Sequence, residues 1–252
     1  MRQFFQILRE DKSLELTITS YQLLLDLERR FPPVTVAKMS GSSSDVIEAQ
    51  LVINSEVWSP FIASAGNDSA KMDGFSDGNY DPIDCSKVVS LVQDIATEVF
   101  HEECQSQGVG PDSDVRSKRI SHNIMAKIML FQYLVRLLET DFICRCQVFK
   151  GWPIIRDSFL NQLLGSQRTN LKNLVISSLH IMVATDKEPF DNNNKGHRAD
   201  GIFKKSLQDL DSASYLAEAE IRHTLCLSVQ TLLTMVNSSS FIVLKHDCVM
   251  QR

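Results

Sequence analysis

Two clusters of metal-ligating or nucleophilic side chains are spaced closely enough to test for chemistry. His101-Glu102-Glu103-Cys104 sets an imidazole and a thiol one helical turn apart, and Cys144-Arg145-Cys146 offers two thiols. A zinc centre needs four ligands, or three and a water, converging on one point, and the usual Cys-x-x-Cys spacing is absent. The phosphate-cradling patterns Gly-x-x-x-x-Gly-Lys-Ser/Thr and Gly-x-Gly-x-x-Gly do not occur. Neither does a Gly-x-Ser-x-Gly elbow or a His-Glu-x-x-His pair. His180 and His223 fall within expected helices and read as structural histidines. The carboxylate pairs Glu102-Glu103 and Glu218/Glu220 sit among polar neighbours and read as solvated helix faces. The expectation is a protein that is not an enzyme and holds no metal, cofactor or small molecule.

Basic residues give the one candidate binding cluster. Arg116, Lys118, Arg119 and Lys127 gather around the start of an expected helix, where they could touch phosphate or an acidic partner. Cations at a helix N-terminus oppose the macrodipole, so helix stability does not require them there. A solvated loop edge is the plainer reading, because isolated charges normally lie at the surface. The whole chain argues against a dedicated phosphate binder: 26 basic residues face 31 acidic ones, a net charge of −5.

The elements that position these residues are helical. A length of 252 residues allows one or two domains, and 43% hydrophobic with 23% charged residues is a globular balance that can bury a core. From Leu14 to Phe31, the residues Leu16, Tyr21, Leu24, Leu27 and Phe31 share a helical face, and Pro32-Pro33 ends the helix. Val34 to Met39 reads as a short extended piece, Ser40 to Ser44 as a linker, and Val46 to Val57 as a short helix closed by Trp58-Ser59-Pro60-Phe61. Val88, Leu91, Val92, Ile95, Val99 and Phe100 mark an amphipathic helix. Ile120, Ile124, Ile128, Phe131, Leu134, Leu137 and Leu138 mark the strongest one, starting near Ser117; its wide apolar face makes it central.

Beyond it, Pro153 suits a first helical position and Gly165 a helix end, with Phe159, Leu160, Leu163 and Leu164 as the buried stripe. Leu174, Ser178 and Ile181 define a helix over Leu171 to Val183. Leu216, Ile221, Leu225, Val229, Leu232 and Leu233 define one over Ser212 to Val236. Flexible loops are expected near 40–45, 64–84, 105–114 and 188–200, and 241–252 is an atypical tail whose Phe241 to Leu244 alone looks strand-like. Met125 and Met129 read as core beside Phe131, and Trp58 and Trp152 as plugs between helices. The fold class is all-α, an irregular helical bundle or a HEAT/armadillo-like helical stack, forming one helical domain over 1–252.

The N-terminal Met1 to Lys12 is interrupted by Gln6 and ends in charges, unlike a signal peptide. The longest apolar candidate, Ile120 to Leu138, contains Lys127, Gln132 and Arg136, so no membrane span is expected. Six scattered cysteines suit a reducing compartment, and the two sequons Asn67-Asp68-Ser69 and Asn237-Ser238-Ser239 carry no meaning there.

Four ordered blocks resemble a plant family, the negative regulators of systemic acquired resistance, identified as inducible suppressors of the npr-one immune mutant. The first holds Phe5-Gln6-Ile7-Leu8-Arg9, Lys12, Leu14-Glu15-Leu16, Ser20, Gln22-Leu23-Leu24, Leu27 and Arg30-Phe31-Pro32. The second is Trp58-Ser59-Pro60-Phe61. The third holds Leu130-Phe131, Tyr133-Leu134, Leu138, Asp141-Phe142, Arg145, Gln147-Val148 and Trp152. The fourth holds Ser158-Phe159-Leu160-Asn161, Leu163-Leu164, Ser166, Asn170 and Lys172. The resemblance implies a leucine-rich, helical, non-enzymatic nuclear scaffold. It implies repression of defence-gene expression, restraint of homologous recombination, and membership of the Smc five–six DNA-repair complex. Partners would be subunits of that complex and chromatin or transcription factors, with DNA contacted indirectly. The family is longer at both ends, so the chain looks partial, with expanded loops at Ser64–Asp84 and Gln105–Asp114 and a match that fades beyond Val183. Two alternatives stand beside this reading: a repressor binding DNA directly through the basic helix end, and a generic helical-repeat adaptor. A hydrolase without a recognisable motif is the remaining rival.

Overall fold

A computed structural model describes residues 1–10, 13–39, 48–54, 57–61, 82–106, 121–149, 158–164, 168–185 and 220–239. Among them are seven helices and one two-stranded sheet: α1 (Arg2–Glu10), α2 (Leu14–Arg30), β1 (Val34–Met39), β2 (Glu48–Ile53), α3 (Cys85–Ser106), α4 (His122–Val148), α5 (Phe159–Leu164), α6 (Arg168–Thr185) and α7 (220–239). The all-α class is therefore correct, with a small hairpin attached.

Helix α4 is the axis of the fold. Its 27 residues, at about 1.5 Å per residue, span roughly 40 Å. It packs against α1, α2, α3, α5 and both strands. Ile124, Ile128, Phe131, Leu134, Leu137 and Leu138 are all buried as the spacing predicts, and so are Leu130, Tyr133 and Val135. The helix begins later than expected. Ser121 is its N-cap, accepting a hydrogen bond from the Ile124 N–H at 3.3 Å. A serine hydroxyl here satisfies an amide that the first turn would otherwise leave open.

The same device starts other helices. Ser13 caps α2, accepting from Leu16 N–H at 3.5 Å. Ser158 accepts from Asn161 N–H at 2.9 Å at the head of α5. Pro153 and Gly165, expected to bound that helix, lie outside the described residues. Asp84 accepts from Lys87 N–H at 2.9 Å and from the Ser86 hydroxyl at 2.7 Å at the head of α3. Helix α3 buries Val88, Val89, Val92, Ile95, Ala96 and Val99. It lies chiefly against α6, and it runs through Ser106, past the expected loop start at Gln105. In α6, Leu174, Ser178 and Ile181 are buried as their register predicts. In α7, Leu225, Val229 and Leu232 are buried, and Ile221 and Leu233 partly so.

Two expectations need correction. First, 46–57 holds no helix among its described residues: Glu48–Ile53 is a strand, antiparallel to β1 in the register Val34↔Ile53 through Met39↔Glu48. The segment alternates, with Leu51 packed toward the core and Gln50 and Val52 exposed. Strand β1 also has a row of backbone groups that need a partner. Second, the buried line of α2 is Thr17, Ser20, Leu24 and Glu28, while Leu16 and Phe31 are 49% and 56% exposed. The helix turns Glu28 inward because α4 presents Arg136 and Thr140 to it. The N-terminus also forms a helix of its own. Phe5 and Leu8 of α1 are buried, and Phe5 stacks at 5.2 Å from Trp58 and 6.0 Å from Tyr133. Trp58 thus fills the seam that its position suggested. Trp152, the loops near 40–45 and 188–200, most of those near 64–84 and 105–114, and the tail 241–252 lie outside the described residues.

The Asp84 cap has a pH signature. The Lys87 amide, followed by the Ser86 hydroxyl, holds its carboxyl below the ordinary 3.8. A lowered folded pKa stabilises the fold above the unfolded value, and that stabilisation fades as pH falls through the folded one. Asp84→Ala is expected to lower stability by about 1 kcal/mol near neutral pH. The difference should shrink as pH falls from neutral to well below the ordinary carboxylate range, read as urea midpoints at both ends; a constant difference would refute the charged cap.

Candidate interaction surface

Of the four predicted basic residues, Arg116, Lys118 and Arg119 lie outside the described residues. Lys127 sits in the first two turns of α4 and points at α3. Its ammonium contacts the carboxylates of Glu98 at 2.7 Å and Asp94 at 3.1 Å. Burial alone would lower its pKa, but the two carboxylates outweigh that and hold it above the usual lysine value. This cation therefore ties two helices together, and both of its partners are acids of its own chain.

The other candidates are dispersed. His101 and Cys104 belong to the last turns of α3. Cys144 is half-buried and donates to the Val34 carbonyl at 3.6 Å, while Cys146 is exposed. Burial raises both thiols above their ordinary value, the opposite of an activated nucleophile. Among the described residues no three His, Cys, Asp or Glu gather as a metal site would require. His180 and His223 are both exposed. No described helix is long and apolar enough to cross a membrane.

Several buried polar groups pair with one another. Arg145 and Asp141, with side chains 4% and 1% exposed, form an ion pair one turn apart on α4, Nε to Oδ1 at 2.8 Å. The second oxygen of Asp141 accepts the Phe159 N–H at 2.8 Å, so the carboxylate also anchors the first turn of α5. Burial pushes the Asp141 carboxyl above its ordinary range, with Arg145 and the Phe159 amide pulling against it. Higher on the same helix, Arg136 Nε donates to Glu28 at 2.7 Å and Thr140 to its other oxygen at 2.9 Å. Tyr21 donates to Gln132 at 3.3 Å, and Gln132 to Thr224 at 3.0 Å, which links α2, α4 and α7 in one relay.

Sequence reasoning missed these pairs as structural features. The available signal was charge within a greasy helix: Glu28, Arg136, Asp141 and Arg145 interrupt stripes in which a solvated charge would be costly. The outer faces carry the apolar residues that the interior does not use. Phe31 lies beyond the end of α2, Val52 and Ile53 lie on β2, and Ile176, Leu179 and Val183 lie on α6; all are 41–57% exposed.

Helices packed around one axis, ion pairs between them and a small attached hairpin define an all-α architecture. The chain belongs to the SNI1 middle domain family, whose model matches residues 33–239. It is 34% identical over 184 residues to the negative regulator of systemic acquired resistance SNI1 of Arabidopsis thaliana, a match covering 72% of this chain and 36% of that protein. The chain thus spans little more than a third of the curated relative it matches. No solved structure matches it.

The buried pair makes a specific demand. Asp141→Leu leaves Arg145 buried without its countercharge and is expected to cost about 3–5 kcal/mol, whereas Asp141→Leu with Arg145→Met should recover most of that loss. Urea unfolding of the two variants decides it; a single variant losing under about 1 kcal/mol would show that the pair does not hold α5.

Proposed function

We propose that this chain is the central part of a nuclear scaffold that represses plant defence-gene expression, and that it does so by holding other proteins rather than by catalysis. The observation that carries this reading is the match over residues 33–239 to the SNI1 middle domain, together with a relative named as a negative regulator of systemic acquired resistance. The placement of polar groups supports it. The described buried charges are engaged with each other, and the exposed apolar residues lie on outer helix and strand faces where a protein partner would meet them. The finer part of the reading comes from the sequence blocks: restraint of homologous recombination as a subunit of the Smc five–six complex. Those blocks include Asp141, Arg145 and Ser158 to Asn161, which build the α4–α5 junction.

The test is affinity capture of the tagged chain from plant nuclei after mild crosslinking. Recovery of Smc five–six subunits or chromatin repressors is expected. Recovery of neither, with the tagged chain folded and nuclear, would overturn the reading.

Direct DNA contact through Arg116, Lys118, Arg119 and Lys127 is the alternative. Lys127 is already committed to Glu98 and Asp94, so its removal should affect stability before affinity. Lys127→Met is expected to lose roughly 1 kcal/mol of stability. Titration of a duplex oligonucleotide at two salt concentrations separates the readings. Affinity that falls steeply with salt and weakens on replacing Arg116, Lys118 and Arg119 supports direct contact; absence of binding at low salt removes it.

A further inference from the structure

Strand β2 is an open edge. In an antiparallel pair, directly opposite residues alternate between exchanging both backbone bonds and exchanging none. The Asn54 N–H donates to the Pro33 carbonyl at 2.9 Å, which sets the phase of the β1–β2 register. Gln50 and Val52 therefore bond to β1, while Ala49, Leu51 and Ile53 turn their N–H and C=O groups away from it. On β1 the Val34 carbonyl is turned toward α4 and accepts from Cys144 at 3.6 Å. The outward groups of Ala49, Leu51 and Ile53 meet no hydrogen-bond partner among the described residues. Val52 and Ile53 point to opposite faces of the sheet, yet they are 42% and 54% exposed, as an edge strand allows.

A row of unpaired backbone groups accepts another extended strand, and proteins normally block such an edge with lysine, proline or a bulge. Strand β2 contains neither lysine nor proline, and its register with β1 runs unbroken. Its one charged residue, Glu48, stands at the strand end. The sequence of this edge fits its own copy laid antiparallel. A two-fold axis through Leu51 sets Leu51 opposite Leu51 and Ala49 opposite Ile53, so each outward N–H meets an outward C=O of the other copy. The same register puts Gln50 opposite Val52 and Glu48 opposite Asn54, so no charge faces its like. The small Ala49 leaves room for the exposed Ile53.

We propose that the β2 edge pairs with the β2 edge of a second copy, joining two hairpins into one four-stranded antiparallel sheet in the order β1-β2-β2-β1. Pairing uses up both β2 edges, so assembly closes at two copies rather than growing into a fibre. A strand of different sequence satisfies the backbone groups alone, whereas the copy satisfies them and the side-chain register together. A contact of one short strand a side is small, so the pair forms and separates with concentration. The inference goes beyond the scaffold reading and does not rest on it. Two copies present every binding face twice, which multiplies the hold on any partner that is itself repeated.

The test is sedimentation of the full 252-residue chain over a concentration series, joined to amide hydrogen exchange at the two ends of that series. The mass should rise from one chain to two. Exchange at Ala49, Leu51 and Ile53 should slow by about tenfold or more in the concentrated sample, while Gln50 and Val52, already bonded to β1, stay as they were. Ile53→Pro removes an outward N–H without touching a ladder bond to β1 and should weaken association by about tenfold or more. Ile53→Lys keeps the backbone intact and should do the same by guarding the edge. Circular dichroism confirms that either variant folds. A single chain at every concentration overturns the proposal, and so does a dimer indifferent to both variants. Slow exchange at Ala49, Leu51 and Ile53 in the dilute sample also overturns it, because the edge would then be occupied within one chain. Each of these results leaves the nuclear capture experiment, and the scaffold reading it tests, unaffected.

Discussion

The carboxylate of Asp141 is the constraint around which the described parts of the molecule are organised. It lies almost fully buried on the longest helix, faces Arg145 one turn on, and receives the amide that opens α5. Taking two charges out of water is unfavourable, and a buried pair adds little net stability over a hydrophobic pair of the same shape. What it adds is specificity. A leucine stripe can slide by a turn against its neighbour with small loss, whereas a carboxylate that must meet one guanidinium and one amide has a single solution. Glu28 repeats the device further along α4, where Arg136 and Thr140 fix the rotation of α2. Lys127 repeats it near the helix start, tying α3 to α4. The three sites divide the axis among three neighbouring helices.

Much of this was legible in the residues, and the illegible part has a common cause. The stripes of α3, α4 and α6 are readable because one helical face of each is mostly apolar, and burial follows that face. The start of α4 was misplaced by four residues because Ser117 and Ser121 are equally good caps by type, and only the amide of Ile124 distinguishes them. Strand β2 reads as a helix in the sequence because a strand's identity lies in its partner. Six residues with two polar and four apolar members fit either period until β1 is placed beside them. The inward turn of Glu28 was hidden for the same reason, since its acceptor role is set by Arg136, more than a hundred residues away. Local periodicity reveals which elements exist; pairing across the chain decides how they rotate.

The same logic separates the two kinds of site. Among the described candidates, the thiols of Cys144 and Cys146 are raised rather than activated, and Lys127 of the basic cluster contacts two acids. Outward apolar residues on α6, β2 and the end of α2 remain.

One contact bears on how this sequence can vary. The Ile83 amide donates to the Pro60 carbonyl at 2.8 Å, and Phe61 packs against Phe159 at 5.6 Å. The described residues on either side of 62–81 are therefore bonded to each other directly. Closing such a gap costs only slowly more entropy as its length grows. A connection of different length there would leave the clamp at the head of α3 between the same two described points.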